Sequence, residues 1–500
     1  MTGSQVARNA IWNLLGLGLP LVVAVFAIPP LVRELGIDRF GILTLAWAII
    51  GYLGIFDLGI GRALTKAVAQ RLGSGAASSE PDDPHLPELV WSAVLITFVL
   101  GLVATLVILP LSGWLSHDVL RVTPGLEGEM QRAIMTLGLA MPLVLGTAGL
   151  RGVLEAHRRF ELANAIRLPM GVYNFVAPLA MLPFTRDVGS IVVVLAVGRA
   201  LAWLAHLLAC FRVMPGLRRW PRLALGRIGG LMRDGGWMTV SNVLGPVMVY
   251  FDRFLIGALV SLAAVAYYAT PFEGVSRLLV IPGALVGVLF PSFAADQATR
   301  PEQARALYGR ACIGTLGLMF PAVVVVSAVA PELLRVWVGA DFATHSTVVL
   351  RWLAYGVLLN SLAHVPFAYL QAAGRADLTA RLHLIEAPLY LLGLWWAIGV
   401  AGVQGAAIAW ALRVAIDALA LFALTHRVGR LPIDRGAAWG TALALGSLAI
   451  AVLDVTPSLG VRLALAAGTL AVFGVTLWRW LLDPAGREWI RARLAWSAGR

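Results

Sequence analysis

The chain alternates long apolar runs with short polar connections. About fourteen runs reach the ~20 residues an α-helix needs to cross a hydrocarbon layer of ~30 Å. They begin near Ala10, Phe40, Glu88, Gln131, Leu168, Gly189, Gly235, Ala263, Cys312, Ser346, Thr379, Gly402, Ala437 and Leu459. Several contain Gly or Pro, which bundled membrane helices tolerate because neighbouring groups satisfy the freed backbone. The pattern predicts an all-α integral membrane protein of about fourteen transmembrane helices. The first run, after "MTGSQVARN", is too long for the apolar core of a secretory signal and lacks a small-x-small cleavage site, so a retained helix is expected.

No connection is long enough to hold a folded core. One, "LGSGAASSEPDDPHLP", is rich in Gly, Ser and Pro; another, "RVMPGLRRWPRLALGR", is rich in Arg and divides the chain almost in half. The halves resemble each other. "IWNLLGLGLP" at 11–20 aligns with "GWMTVSNVLGP" at 236–246, "GVLEAHRRFELANAIRL" at 152–168 with "AYLQAAGRADLTARLHL" at 368–384, and "DVGSIVVVLAVGRA" at 187–200 with "AGVQGAAIAWALRV" at 401–414. Six helices per half give a parallel repeat, related by a pseudo-two-fold axis along the membrane normal. The expected organisation is a first lobe at 1–211, an Arg-rich cytoplasmic linker at 212–234 and a second lobe at 235–430. Two added helices with a cytoplasmic tail follow at 431–500. Two lobes around a cleft form a transporter plan, with cargo at the lobe interface and access alternating by rocking.

Composition agrees with this reading: 59% of residues are hydrophobic and 13% charged, against roughly 25% charged in soluble domains. The net charge of +12 would suit nucleic acid if it were gathered on a soluble face. Instead the alternate connections and both termini hold about 27 Lys/Arg, against about seven on the opposite side, the positive-inside signature of cytoplasmic termini. An ATP-driven motor within the chain is excluded, because there is no G-x-x-x-x-G-K-[ST] loop and the only lysine is Lys66. Cys210 and Cys312 have no metal-ligand spacing and read as packing residues. No metal and no cofactor are expected.

The order of "FDLGIGRAL" at 56–64, "DRFLIG…VAYYA" at 252–269 and "ELLRVWVGADFA" at 332–343 resembles the polysaccharide-biosynthesis flippases. These are the O-antigen and exopolysaccharide translocases of the multidrug/oligosaccharidyl-lipid/polysaccharide exporter superfamily. The resemblance implies a fourteen-helix, two-lobe flippase that exports undecaprenyl-pyrophosphate-linked glycan units from the inner to the outer leaflet of a bacterial inner membrane. It also implies contact with membrane lipids and with polysaccharide-synthesis enzymes as partners, and none with nucleic acid. The related lipid II flippases carry extra arginines in the first helix. Here residues 10–32 contain none, which argues against a peptidoglycan precursor.

Candidate chemistry lies in the charges inside the spans. Arg413 stands about eleven residues, or ~16 Å, into the twelfth helix, and the repeat places Arg199 at the same depth in the sixth. A buried guanidinium is costly, and its planar fork suits phosphate, so the pair are the pyrophosphate candidates. For Arg413 the competing expectation is an intrahelical pair with Asp417, four residues on. Glu273 and Arg277, again four apart, are expected to be a structural pair. Glu273 is also the candidate for coupling to H+ or Na+. Asp57 and Arg62 are hinge or inner-gate candidates; Asp252 and Arg253 read as a gate or anchor, with Arg253 able to snorkel outward. His206 reads as packed, and His383 with Glu386 as too few ligands for a metal. Arg158, Arg159 and Arg375 in the inner loops are expected to set topology.

Two other function classes fit less well. A drug/cation antiporter of the same superfamily should have a cavity dominated by acidic residues. A membrane glycosyltransferase or polymerase needs catalytic acids and a larger outer loop than "LSGWLSHDVLRVTPGLEGEM".

Overall fold

Every long element in the computed structural model is a helix, and no strand occurs among the described residues. These are 19–53, 86–218, 247–429 and 458–481 apart from Leu21 and Arg158, with a few single positions beside them. The first unit contains α1 (22–35), α2 (Ile37–Leu53), α3 (Leu86–Trp114), α4 (Glu127–Ala156), α5 (Phe160–Met181), α6 (Val188–Val213) and α7 (247–259). Next, α8 (Leu262–Ser276) passes through a tight turn at Arg277–Leu279 into α9 (Val280–Thr299). Then come α10 (Pro301–Ala328), a short α11 (Ala330–Trp337) and α12 (Ala340–Ala372). The run Ala376–Gly429 is two helices, α13 (376–400) and α14 (403–429), and α15 (Leu459–Thr476) follows.

Most helices begin within about one turn of the position read from the apolar pattern. Three start earlier, at Phe160, Pro301 and Ala340 rather than Leu168, Cys312 and Ser346. Their first turns are polar ("PEQARALYGR" in α10) and extend beyond the apolar window by which a span is recognised. Seven helical runs among the described residues, the double helix Ala376–Gly429 included, are long and apolar enough to cross a membrane. Their outward faces fit that setting, with Leu106 71% exposed on α3 and Leu389 and Trp396 each 65% exposed on α13. Apolar exposure on this scale suits lipid and not water.

The chain divides into two units, Met1–Ala269 and Thr270–Arg500. In the first, Leu89 and Val90 of α3 pack with Leu150, Val153 and Leu154 of α4 and with Cys210 at the end of α6. Cys210 and Cys312 are both unpaired, as a packing role requires. At the other end of these helices the unit is tied by ion pairs. Arg39 of α2 grips both carboxylate oxygens of Glu129, the closest contact being 2.8 Å, and Glu129 also accepts the backbone N–H of Val188. Arg132 donates to Asp187 at 2.6 Å, and Arg186 to Glu34 at 2.6 Å. Asp187 is the N-cap of α6, accepting from the backbone N–H of Ser190. Such a cap satisfies an otherwise orphaned donor and complements the helix dipole.

In the second unit the rings of Phe293, Tyr308 and Tyr369 meet edge to face, with centroids 5.3–5.4 Å apart. Between α13 and α14 the chain reverses at Gly402, whose φ of +55° is ready only for glycine. Gly356 of α12 lies flat against the fully buried Trp410 of α14, where an added Cβ would fall 2.3 Å from the indole ring. Gly356→Val is therefore expected to cost about 1–3 kcal/mol through overpacking, read as a lowered unfolding temperature in detergent.

Burial raises the carboxyl pKa of Asp187, but the bonds from Ser190 and Arg132 outweigh it and hold the group below its ordinary value. Its contribution is complete above the unfolded value of about 3.9 and is lost as pH falls through the lower folded value. Asp187→Asn keeps a capping oxygen but should remove that part of the acid dependence of unfolding and cost about 0.2–1 kcal/mol at neutral pH through the lost ion pair to Arg132. Acid-titrated thermal unfolding of the two proteins checks both.

Candidate functional site

Two antiparallel helix pairs, α5–α6 and α13–α14, occupy places that align in the two halves of the sequence, and each holds one of the candidate arginines, Arg199 and Arg413. The loops before α5 and α13 carry similar ion pairs. Arg159 pairs with Glu161 at 2.9 Å, and Arg375 with Asp377 at 3.1 Å, two residues on in both cases.

In α5–α6, Arg199 donates to Asn174 Oδ1 at 2.6 Å. Its Nε is buried and has no hydrogen-bond partner, and no ion pair to Arg199 occurs among the described residues. The neighbouring Tyr173 lies flat on α6 at Gly198, donates to the Val194 carbonyl at 2.7 Å and closes one wall of a groove of about 580 Å³. The other lining side chains are apolar, among them Leu168, Val172, Val176 and Val194. The first unit thus sets an uncompensated guanidinium beside an oily groove on the same pair of helices.

In α13–α14 the arginine is neutralised. Arg413 Nε donates to Glu386 Oε1 at 2.7 Å, with side chains only 11% and 7% exposed. The guanidinium also lies 5.9 Å from the centre of the Tyr390 ring. The partner is Glu386 on the preceding helix and not Asp417 on the same one. Asp417 instead stands 3.7 Å from His383 Nε2. The cross-helix pair wins because α13 and α14 form a tight hairpin. Glu386 and Asp417 stand about sixteen residues to either side of its turn and so lie at matching depth. That equal spacing was the available signal for Glu386.

The remaining candidates are distributed elsewhere. Arg277 donates to Glu273 at 2.7 Å within one turn, each about one-third exposed. Arg253 does not snorkel. It is 2% exposed, stands over the Tyr250 ring at 4.9 Å, and donates to the Val249 carbonyl. Asp252, wholly buried, accepts from Tyr268. His206 is packed, with Nδ1 bonded to the Ala202 carbonyl at 2.8 Å. Asp57, Arg62 and Arg158 lie outside the described residues. The sequence reading missed α11, a short helix whose Glu332 pairs with Arg462 on α15.

The fold is that of a membrane transporter superfamily. The chain is similar to an inward-facing multidrug resistance transporter of the MATE family and MOP superfamily (TM-score 0.66, 14% identity, 83% of this chain and 98% of the other). It is also similar to the lipid II flippase MurJ in an inward closed conformation (TM-score 0.64, 10% identity, 92% and 99%). The profile of the family described as polysaccharide biosynthesis protein matches residues 6–296, more than half of the sequence, and the chain belongs to that family. Curated relatives include a putative O-antigen transporter of Shigella flexneri, 27% identical over 83% of this chain and 97% of the relative. A probable low-salt glycan biosynthesis flippase of Haloferax volcanii is 23% identical over 81% and 79%.

Removing one partner of a buried ion pair strands a charge, whereas removing both often costs little. Glu386→Leu should therefore destabilise by about 3–5 kcal/mol, and the double variant Arg413→Leu/Glu386→Leu should recover most of that loss. Unfolding temperatures of the single and double variants in detergent measure the difference.

Proposed function

We propose that this protein flips a lipid-linked glycan unit carried on undecaprenyl pyrophosphate from the inner to the outer leaflet of a bacterial inner membrane. Two six-helix lobes, with two added helices at the end of the chain and both termini in the cytoplasm, alternate access to the cargo. The family match and the O-antigen and glycan-flippase relatives support this reading. The single observation that carries the cargo chemistry is Arg199. It is a guanidinium on α6, a helix long and apolar enough to span a membrane, bonded to a neutral amide and retaining an unused buried donor. A phosphate oxygen would take that donor and neutralise the charge at once. The groove at Tyr173 gives an isoprenoid chain a surface of its own kind. In this reading Arg413, already neutralised by Glu386, is part of the framework, and Arg199 meets the headgroup.

A drug/cation antiporter is the second reading, and the buried carboxylates of Glu386 and Asp417 are what favour it. The two readings differ in the sign of the cargo. The deciding experiment is a flipping assay in proteoliposomes with an undecaprenyl-pyrophosphate-linked oligosaccharide. Arg199→Ala should lower the rate by about tenfold or more, the worth of one lost charge-assisted hydrogen bond, with partial rescue by Arg199→Lys. An unchanged rate in Arg199→Ala would remove the residue from the path. Export of cationic dyes without glycan flipping would decide for the antiporter.

A further inference from the structure

The α13–α14 hairpin contains a second group of ionisable side chains that phosphate recognition does not use. His383 and Glu386 are one turn apart on α13, Asp417 lies on α14, and their ligating atoms fall within 4.8 Å of one another. Arg413 neutralises Glu386. Asp417 receives no such partner: it is 6% exposed, and its Oδ1 makes no hydrogen bond. His383 Nε2 stands 3.7 Å from that oxygen, and His383 Nδ1 is likewise buried without a partner. From α12 the Phe367 ring stacks on the imidazole, with centroids 6.3 Å apart. One turn before it, His364 is bonded to the Asn360 carbonyl. The charged groups acting on the pair are Arg413, on both members, and Glu386, on Asp417; Tyr390 stands beside Arg413.

A charge count decides what belongs here. Arg413 and Glu386 sum to zero, so an ionised Asp417 leaves one negative charge inside a membrane-spanning hairpin, where a lone charge is expensive. A single monovalent cation cancels it. A divalent metal would overshoot and would have to displace Arg413 from Glu386. Imidazole beside carboxylate suits a proton, because each carries a lone pair that can take one and the shared proton then bridges the two side chains. The fold does not demand the cluster. By the register of the sequence repeat, the α5–α6 hairpin carries Arg167, Met170 and Trp203 at the places of His383, Glu386 and Asp417. The same supersecondary unit is therefore built there without a carboxylate at any of the three.

We infer that His383 and Asp417 form a buried site for one proton, taken from water and held at Asp417 Oδ1 or His383 Nε2, so that the cluster passes between net charges of −1 and 0. One O–H bond of a hydronium ion breaks, leaving water, as one O–H or N–H bond forms at the site, and no further co-reactant is needed. The site belongs to the second unit and stands independently of the cargo assigned to Arg199.

The test is pH-difference infrared spectroscopy of the full-length protein in liposomes, without cargo and in sodium-free buffer, over about pH 5 to 8. Wild type should show a carboxyl or imidazole band that titrates in this range. The band should be lost in Asp417→Asn, lost or displaced in His383→Gln, and kept in Glu273→Gln. The two near-isosteric variants guard against loss of folding in one of them, which elution as a single species monitors. A wild type without such a band, an unaltered band in both variants, or a band that answers to sodium at fixed pH but not to pH overturns the inference. Because no cargo is present, failure here is distinct from failure of the flipping assay.

Discussion

A charge inside a membrane-spanning helix has to be answered by something, and the rest of the structure follows from how each charge is answered. Arg413 is answered by Glu386, Arg253 by the Asp252 carboxylate at 3.7 Å together with a tyrosine face and a backbone carbonyl, and Arg277 by Glu273 one turn away. Arg199 is answered only by the neutral Asn174. Among these four, it is the one whose electrostatic cost the described protein leaves standing. A transporter of anions has a use for such a residue, because the missing partner arrives with the cargo.

The sequence repeat sharpens the contrast. Arg199 and Arg413 occupy equivalent positions on equivalent hairpins, yet each hairpin surrounds its arginine differently. The first offers an amide, a tyrosine and an apolar groove. The second offers two carboxylates and an imidazole. One helical-hairpin geometry thus carries two kinds of chemistry. The first suits a phosphate with a hydrocarbon tail; the second suits a small cation.

Much of the architecture was legible before any coordinates. Apolar run length alone placed α2, α3, α6, α8, α13 and α15 to within about a turn, because hydrocarbon thickness dictates helix length. The pairing of Glu273 with Arg277 followed from helical spacing. Tertiary partners were harder to read. Asp417 satisfied the four-residue rule for Arg413, but the hairpin at Gly402 brought Glu386 to the guanidinium at closer range. Arg253 looked free to snorkel, since nothing local announces that a tyrosine one turn back will hold its guanidinium. The ion pairs linking Arg39, Glu129, Arg132 and Asp187 join residues far apart in the chain, and no periodicity encodes such pairs. The short α11 escaped because eight residues are too few to show a span.

The central claim is that Arg199 keeps a place open for phosphate. It is tested most directly by a structure of the full-length protein in a lipid bilayer saturated with undecaprenyl pyrophosphate. The account predicts a phosphate oxygen within about 3 Å of Arg199 Nε, with the isoprenoid chain along Tyr173 and Val176. A phosphate seated elsewhere, with Arg199 still turned to Asn174 alone, would contradict it.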